Sequence, residues 1–286
     1  MPKAIRYDQP GGPEVMKWVD VEVGEPKAGE VRVKHHAVGL NYIDVYFRTG
    51  LYPQPLPGGL GQEGAGEVVA VGEGVAALKV GDRVAYTGVP PGSYAEERVL
   101  PAEKIVRLPD AITYEDAASI MLQGLTAQYL LRRTYPVKAG DTILIHAVAG
   151  GVGLIVCQWA KALGATVIGT VGSDEKAELA RAHGCDHTIV YTREPEFAGR
   201  VKEITNGAGV PVVYDSIGKD TYIARRSTAW RRSACSSVSA MRRARCSRST
   251  RRSSPRAARC SSRARRPPRS RSAPHHGLDD PAALTV

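Results

Sequence analysis

The residues best suited to chemistry lie in "AVAGGVG", Ala147–Gly153, a glycine-rich stretch between two apolar runs. Gly150, Gly151 and Gly153 permit a tight turn, close approach of a pyrophosphate, and packing of a helix on a strand. Ala149 and Val152 share the loop, and the helix it opens would aim unpaired N–H groups at phosphate oxygens. A glycine cluster alone also fits a plain turn, so the setting matters. "DTILIHAV" before it reads as a buried strand, "GLIVCQWAKALG" after it as a helix, and "ATVIGTVG" as a second strand. That strand ends in the small, neutral "GTVGS", where an NAD site usually places an acidic residue for the ribose hydroxyls. The small residues up to Ser173 leave room for a 2′-phosphate and Lys176 would neutralise it, so NADPH is predicted over NADH. Lys176 also fits a solvated lysine at a helix start, and Asp174 and Glu175 oppose the charge argument.

The elements that must position this loop fall into two textures. Up to about residue 110 the chain is short β-like runs broken by Gly and Pro: "EVRVKHHAVGL", "EGAGEVVAVGEGV", "VGDRVAY" and "YAEERVL". From Tyr114, "TYEDAASIMLQGLTAQYLLRRT" has helical spacing, with Thr113 as N-cap and Asp116 three residues on. Strand and helix then alternate through "SDEKAELARAHG", "HTIVY", "EFAGRVKEITNG" and "VPVVYDSIG". The prediction is an α/β chain, a compact β domain followed by a doubly wound parallel sheet. His35 and His36, adjacent on a strand, face opposite sides and read as structural rather than as paired metal ligands.

Composition bounds the rest. The 286 residues suffice for two ordinary cores, and their net charge is +10. From Tyr222 onward there are seventeen Arg, no Lys and only Asp279 and Asp280, a net of +15 that leaves −5 for residues 1–221. Cys157 and Cys185 lie in the patterned part, and no CxxC pair suggests a zinc knuckle or disulfide framework. The apolar run "ILIHAVAGGVGLIVCQWA" approaches membrane-spanning length, but its His and three Gly suit strand, loop and helix better. With no signal-peptide pattern at the start, a soluble, cytoplasmic protein without membrane contact is predicted.

Several stretches carry a resemblance: "AVGLNYIDVYFRTGLY", "GQEGAGEVVAVGEGV", "GDRVAY", "SYAEERVLPA", "QGLTAQYLL" and "HAVAGGVGLIVCQWAKALGATVIGTV". Together they closely resemble the zinc-free quinone oxidoreductases of the medium-chain dehydrogenase/reductase superfamily, relatives of ζ-crystallin. The resemblance implies a chaperonin-10-like β domain over 1–125, a Rossmann NADPH-binding domain over 126–221, and a homodimer. Zinc-containing members place Cys where this chain has Asn41 and His where it has Gln62, and the four-cysteine zinc lobe is absent, so no zinc is expected. The resemblance places Asn41, Tyr46 and Tyr52 around the acceptor and Thr126 beside the nicotinamide. It gives Lys176 and Tyr191 the adenosine end, Tyr191 stacking on adenine. Each has a plainer alternative: Asn41 a turn residue, Tyr46 and Tyr52 packed with wet hydroxyls, Thr126 bonded to its own backbone, Tyr191 a core aromatic. The implied reaction is hydride transfer to a quinone or other conjugated carbonyl, with hydrogen-bond donors stabilising charge on oxygen and solvent supplying the proton. A reductase of α,β-unsaturated ketones is the enzymatic alternative.

Residues 222–286 break the pattern. The Arg, Ser and Ala there lack periodicity and cannot bury enough apolar surface to offset ordering entropy, so disorder is predicted. A nucleic-acid-binding arm is a competing reading, and the alternative function is then an inactive nucleotide- or RNA-binding remnant. The arginines have no interleaved aromatics to stack bases, which argues against nucleic acid. A shifted reading frame fits better. Residues 234–246 can be encoded so that translation two bases later gives "MLVSFGNASGPV", and 266–282 so that the other frame gives "AHRDLEARRTTGSTILL". Both strings resemble segments that the family places after "VVYDSIGKDT". A frameshift near Tyr222 and a second near Arg266 are therefore predicted, with activity impaired in the chain as it stands.

Overall fold

The computed structural model describes residues 1–218, residue 221 and the backbone of residues 230–238. The first half is antiparallel. Strands β1 (Lys3–Tyr7) and β2 (Lys17–Asp20) precede β3 (Glu30–Val38) and a short helix α1 (Tyr42–Arg48). Then come β4 (Gly58–Gly59), β5 (Glu63–Val71), β6 (Arg83–Thr87), β7 (Glu97–Pro101) and β8 (Ile105–Arg107). They form a three-stranded sheet ordered β2-β1-β4 and a five-stranded sheet ordered β7-β3-β5-β6-β8. Alternating Val31, Val33, Val68 and Val84 bury one face of the larger sheet around Tyr86 and Leu100.

Helix α2 (Tyr114–Tyr129) links the halves and continues as a π-helical turn, Leu130–Thr134. Thr113 caps it as predicted, its hydroxyl oxygen accepting from the Asp116 N–H at 3.0 Å. Ala117 and Ala118 let the helix sit close on β5 and β6, against Ala65 and Ala85. The predicted domain division at 125/126 falls inside this continuous helix.

The second half is β9 (Thr142–His146), α3 (Gly151–Ala162), β10 (Thr166–Val171), α4 (Asp174–Ala182), β11 (His187–Val190), α5 (Phe197–Ile204) and β12 (Val210–Asp215). A last strand, β13, is Trp230–Val238. The sheet is parallel, ordered β11-β10-β9-β12-β13, with the strand order reversing at β9. Ile143 and Ile145 face α3 and α4, while Leu144 between them faces Phe197 and Val201 of α5, so each strand is buried on both sides. Burying each such side chain contributes about 1.5–3 kcal/mol. The apolar run of near-membrane length is β9, loop and α3, and among the described residues no helix is long and apolar enough to cross a membrane.

Strand β13 corrects the sequence-based expectation. Disorder was predicted throughout 222–286, yet residues 230–238 pair in parallel with β12, Cys235 opposite Val212 and Val238 opposite Asp215. The outer edge of β12 offers a row of backbone donors and acceptors, and such pairing depends on backbone rather than on an apolar pattern. The rest of the predicted disordered tail, and the second frame change near Arg266, lie outside the described residues.

Candidate cofactor and acceptor site

The glycine loop leaves β9 at His146, whose buried Nδ1 lies 2.9 Å from the Thr170 hydroxyl on β10. Ala147 takes φ +53°, a left-handed conformation uncommon for a residue with a side chain. The chain then turns tightly, the Gly150 N–H donating to the Ala147 carbonyl at 2.9 Å, and α3 begins at Gly151. No side chain caps α3, so the N–H groups of its first turn are open to an anion. Gly153 must lack a side chain, because a Cβ there would lie 2.6 Å from the Val148 carbonyl oxygen. Ala149 and Val152 turn their side chains against the core beneath the loop. These features fit a dinucleotide pyrophosphate: a cradle only glycine can form, with unpaired donors facing it.

At the adenosine end, the Ser173 hydroxyl caps α4, accepting from the Lys176 N–H at 3.3 Å. Tyr191 is 38% exposed, and its N–H donates to the Val171 carbonyl at 3.0 Å. Its hydroxyl stands over Gly172, where a Cβ would come within 3.0 Å. It is therefore a surface aromatic at the strand ends rather than a core residue. Sequence reasoning missed Arg193, which forms a two-pronged ion pair with Asp174 at 2.8 and 2.5 Å. One of the two acidic residues that opposed phosphate binding, Asp174, is thereby paired, while Lys176 is exposed and forms no ion pair with a described residue. Asp174 and Arg193 are 19 positions apart, and nothing in their local sequence announces the contact.

On the acceptor side, Asn41 is buried at the N-cap of α1. Its Nδ2 donates to Glu63 Oε1 at 2.5 Å, and the Leu122 N–H of α2 donates to Glu63 Oε2 at 2.7 Å. Thr126 Oγ1 in turn donates to the Leu122 carbonyl at 2.7 Å. Glu63, which carried no role in the sequence reading, thus joins the Asn41 and Thr126 positions. Burial pushes its carboxyl up from the usual range, against the pull of Leu122 and Asn41. Asp44 is likewise buried and raised, although it accepts from the Asn41 and Gly61 N–H groups and the Tyr94 hydroxyl. Buried carboxylates closing loops onto α1 were detectable only as an Asn-x-x-Asp capping pattern. Tyr46 and Tyr52 lie side by side, ring centroids 5.4 Å apart, and neither hydroxyl bonds to a described residue. Burial, with a smaller contribution from Tyr46, holds the Tyr52 phenol above its ordinary value.

Gln62 donates to the Val89 carbonyl at 3.3 Å. His35 is enclosed by the Ala95 carbonyl at 2.5 Å and the Tyr86 hydroxyl at 2.7 Å, and burial drives its imidazole down to about 4. His36 stacks on Tyr114 instead, so the two histidines have separate packing roles.

Comparison with known proteins follows the same division. Residues 27–110 match the alcohol dehydrogenase GroES-like domain and residues 151–246 the zinc-binding dehydrogenase domain. A quinone oxidoreductase of Pseudomonas aeruginosa is 59% identical over 223 residues, 78% of this chain and 68% of that protein. The chain belongs to the quinone oxidoreductase family. Within this family, the Escherichia coli quinone oxidoreductase solved in complex with NADPH superposes with a TM-score of 0.77 at 48% identity, over 80% of this chain and 71% of that one. A 2-haloacrylate reductase of a Burkholderia species is 51% identical, over 74% of this chain and 65% of that protein. As a quinone oxidoreductase family member the chain has the expected α/β architecture, a GroES-like domain followed by a Rossmann-type sheet.

Proposed function

We propose that the chain carries the site of a zinc-independent, NADPH-dependent reductase of quinones. The single observation behind this is the glycine cradle at Gly150–Gly153, opening an uncapped helix. NADPH, when bound, supplies a hydride from C4 of its nicotinamide. The first-turn N–H groups of α3 orient the pyrophosphate, while Lys176 and Tyr191 receive the phosphorylated adenosine. Thr126 has committed its proton to Leu122, so its oxygen acts as an acceptor, suited to the N–H groups of a carboxamide. The Tyr46 and Tyr52 hydroxyls remain available as donors to an acceptor oxygen, and the raised Tyr52 phenol stays protonated through neutral pH. Overall the quinone gains a hydride from the cofactor and a proton from solvent, giving the hydroquinone and NADP⁺.

The side chains at the two zinc positions favour this metal-free chemistry. The Asn41 amide donates to Glu63 and the Gln62 amide to Val89, so both turn N–H groups, not ligating lone pairs, to their neighbours. The Burkholderia relative supports a second acceptor class, conjugated acids or ketones reduced across the C=C bond. A homodimer in the cytoplasm is part of the proposal, checked by sedimentation and fractionation. So is a frame change near Tyr222: the 223-residue match to the Pseudomonas relative is nearly the length of the patterned segment. We assign low activity to the chain as written, because the segments expected beside the nicotinamide are replaced by Arg/Ser-rich sequence. Steady-state reduction of 1,4-benzoquinone and of an enone, by this chain and by a frame-restored version, tests these points. Restoration is expected to raise NADPH-dependent quinone turnover at least about tenfold. Equal turnover by both would refute the impairment, and turnover with neither acceptor after restoration would refute the reductase.

A further inference from the structure

We propose that Asp215 is a positioning residue for the nicotinamide half of the cofactor, acting through the turn of residues 216–218 that its carboxylate holds at the end of β12. The inference rests on the NADPH reading above and extends it to the other side of β9. The strand order decides where that half must lie. The glycine cradle leaves the end of β9, while Ser173, Lys176 and Tyr191 lie just beyond the ends of β10 and β11, on one side of it. On the other side β9 is flanked by β12, with Tyr214 in register with Ile145. A dinucleotide whose pyrophosphate sits at the end of β9 and whose adenosine lies over β10 therefore runs its second half across the end of β12.

Asp215 is the last residue of β12 and only 4% exposed. Its Oδ1 accepts from the N–H groups of Ile217 at 2.8 Å and Gly218 at 3.0 Å, and its Oδ2 from the Thr221 hydroxyl at 2.8 Å. Burial alone would raise this carboxyl, but the Gly218 N–H, His146, Thr221 and the Ile217 N–H together hold it below the usual carboxylate range. His146 is the last residue of β9, so the same carboxylate acts on the residue from which the glycine loop departs. Gly218 takes φ +81°, which lets the chain fold back tightly over the carboxylate. The turn is thus anchored from beneath, yet Ser216 is exposed and Ile217 and Gly218 are only half-buried. The carboxylate is occupied by its partners, and what the turn offers at the crevice is a fixed stretch of backbone. Hydrogen bonds to a charged oxygen are stronger than neutral ones, so their loss should be measurable.

The test is a graded series in the full chain, Asp215→Asn, Asp215→Ser and Asp215→Ala. NADPH affinity is read by nicotinamide fluorescence, adenosine 2′,5′-bisphosphate affinity by calorimetry, and folding by thermal melting. Asn keeps an acceptor oxygen for the two N–H groups and should hold NADPH within about threefold of the unsubstituted chain. Ser offers a single shorter hydroxyl and should weaken NADPH about threefold to tenfold, and Ala more than about tenfold. The bisphosphate lacks the nicotinamide half, so its affinity should change less than about twofold throughout. NADPH affinities all within about twofold of one another would overturn the proposal. So would equal losses by Asn and Ala, or parallel losses of both ligands, which indicate damage to the sheet as a whole. Should Ala not melt cooperatively, Ser binding as tightly as Asn is the contradicting result. If the unsubstituted chain binds adenosine 2′,5′-bisphosphate but the series is flat, only the Asp215 role fails. If it binds neither nucleotide, the NADPH reading fails and takes this inference with it.

Discussion

Glu63 works in this site as an acceptor, receiving one hydrogen bond from Asn41 and one from the backbone of α2. Replacing it by Gln would set an amide N–H against one of two donors. Glu63→Gln is expected to cost about 1–3 kcal/mol in urea unfolding, and an unchanged midpoint would contradict the assignment. His35 gives a pH dependence of definite sign. Its folded value, about 4, lies below the ordinary 6.5, chiefly through burial. The unfolded chain therefore takes up the proton first as pH falls. Stability is complete above pH 6.5 and declines progressively toward pH 4, by up to about 3 kcal/mol. An NMR titration of His35 should find its midpoint near 4, and a midpoint near 6.5 would contradict the buried, neutral ring. Lys176→Ala should weaken NADPH about fivefold to tenfold and leave NADH unchanged, since an exposed cation contacting one phosphate is worth about 1 kcal/mol. Equal losses for both nucleotides would show that the lysine does not read the 2′-phosphate.

The elements differ in how much of their structure their residues announce. β9, α3 and β10 are legible because continuous apolar runs flank a glycine loop, and the Thr113 cap of α2 is legible because its partner lies only three residues on. α1 is not, since its seven residues include two Tyr, Phe, Ile and Val, types that favour strands. Its start is marked only by the capping box between Asn41 and Asp44. β13 is invisible for another reason: its pairing follows from the open edge of β12, not from its own composition. The glycine loop gives the prediction at this scale. Gly153→Ala would drive a Cβ to 2.6 Å from the Val148 carbonyl, inside any real contact distance. Either strand or helix must shift, so NADPH affinity should fall more than about tenfold while far-ultraviolet circular dichroism persists. Undiminished binding would mean that the cradle is not the phosphate site.

For the whole molecule, residues 1–218 build a core in each half, with α2 between the halves, while the positive charge of the sequence is concentrated from Tyr222 onward. Glycine spacing and strand–helix alternation made the nucleotide half readable. The Arg193–Asp174 pair and the Asn41–Glu63–Leu122 linkage were not, because tertiary contact alone brings those residues together. The most direct measurement is a fluorescence titration of the purified 286-residue protein with NADPH and NADH under identical salt. NADPH should bind saturably and more tightly than NADH by about tenfold or more. Equal affinities, or no saturable binding of either, would contradict it.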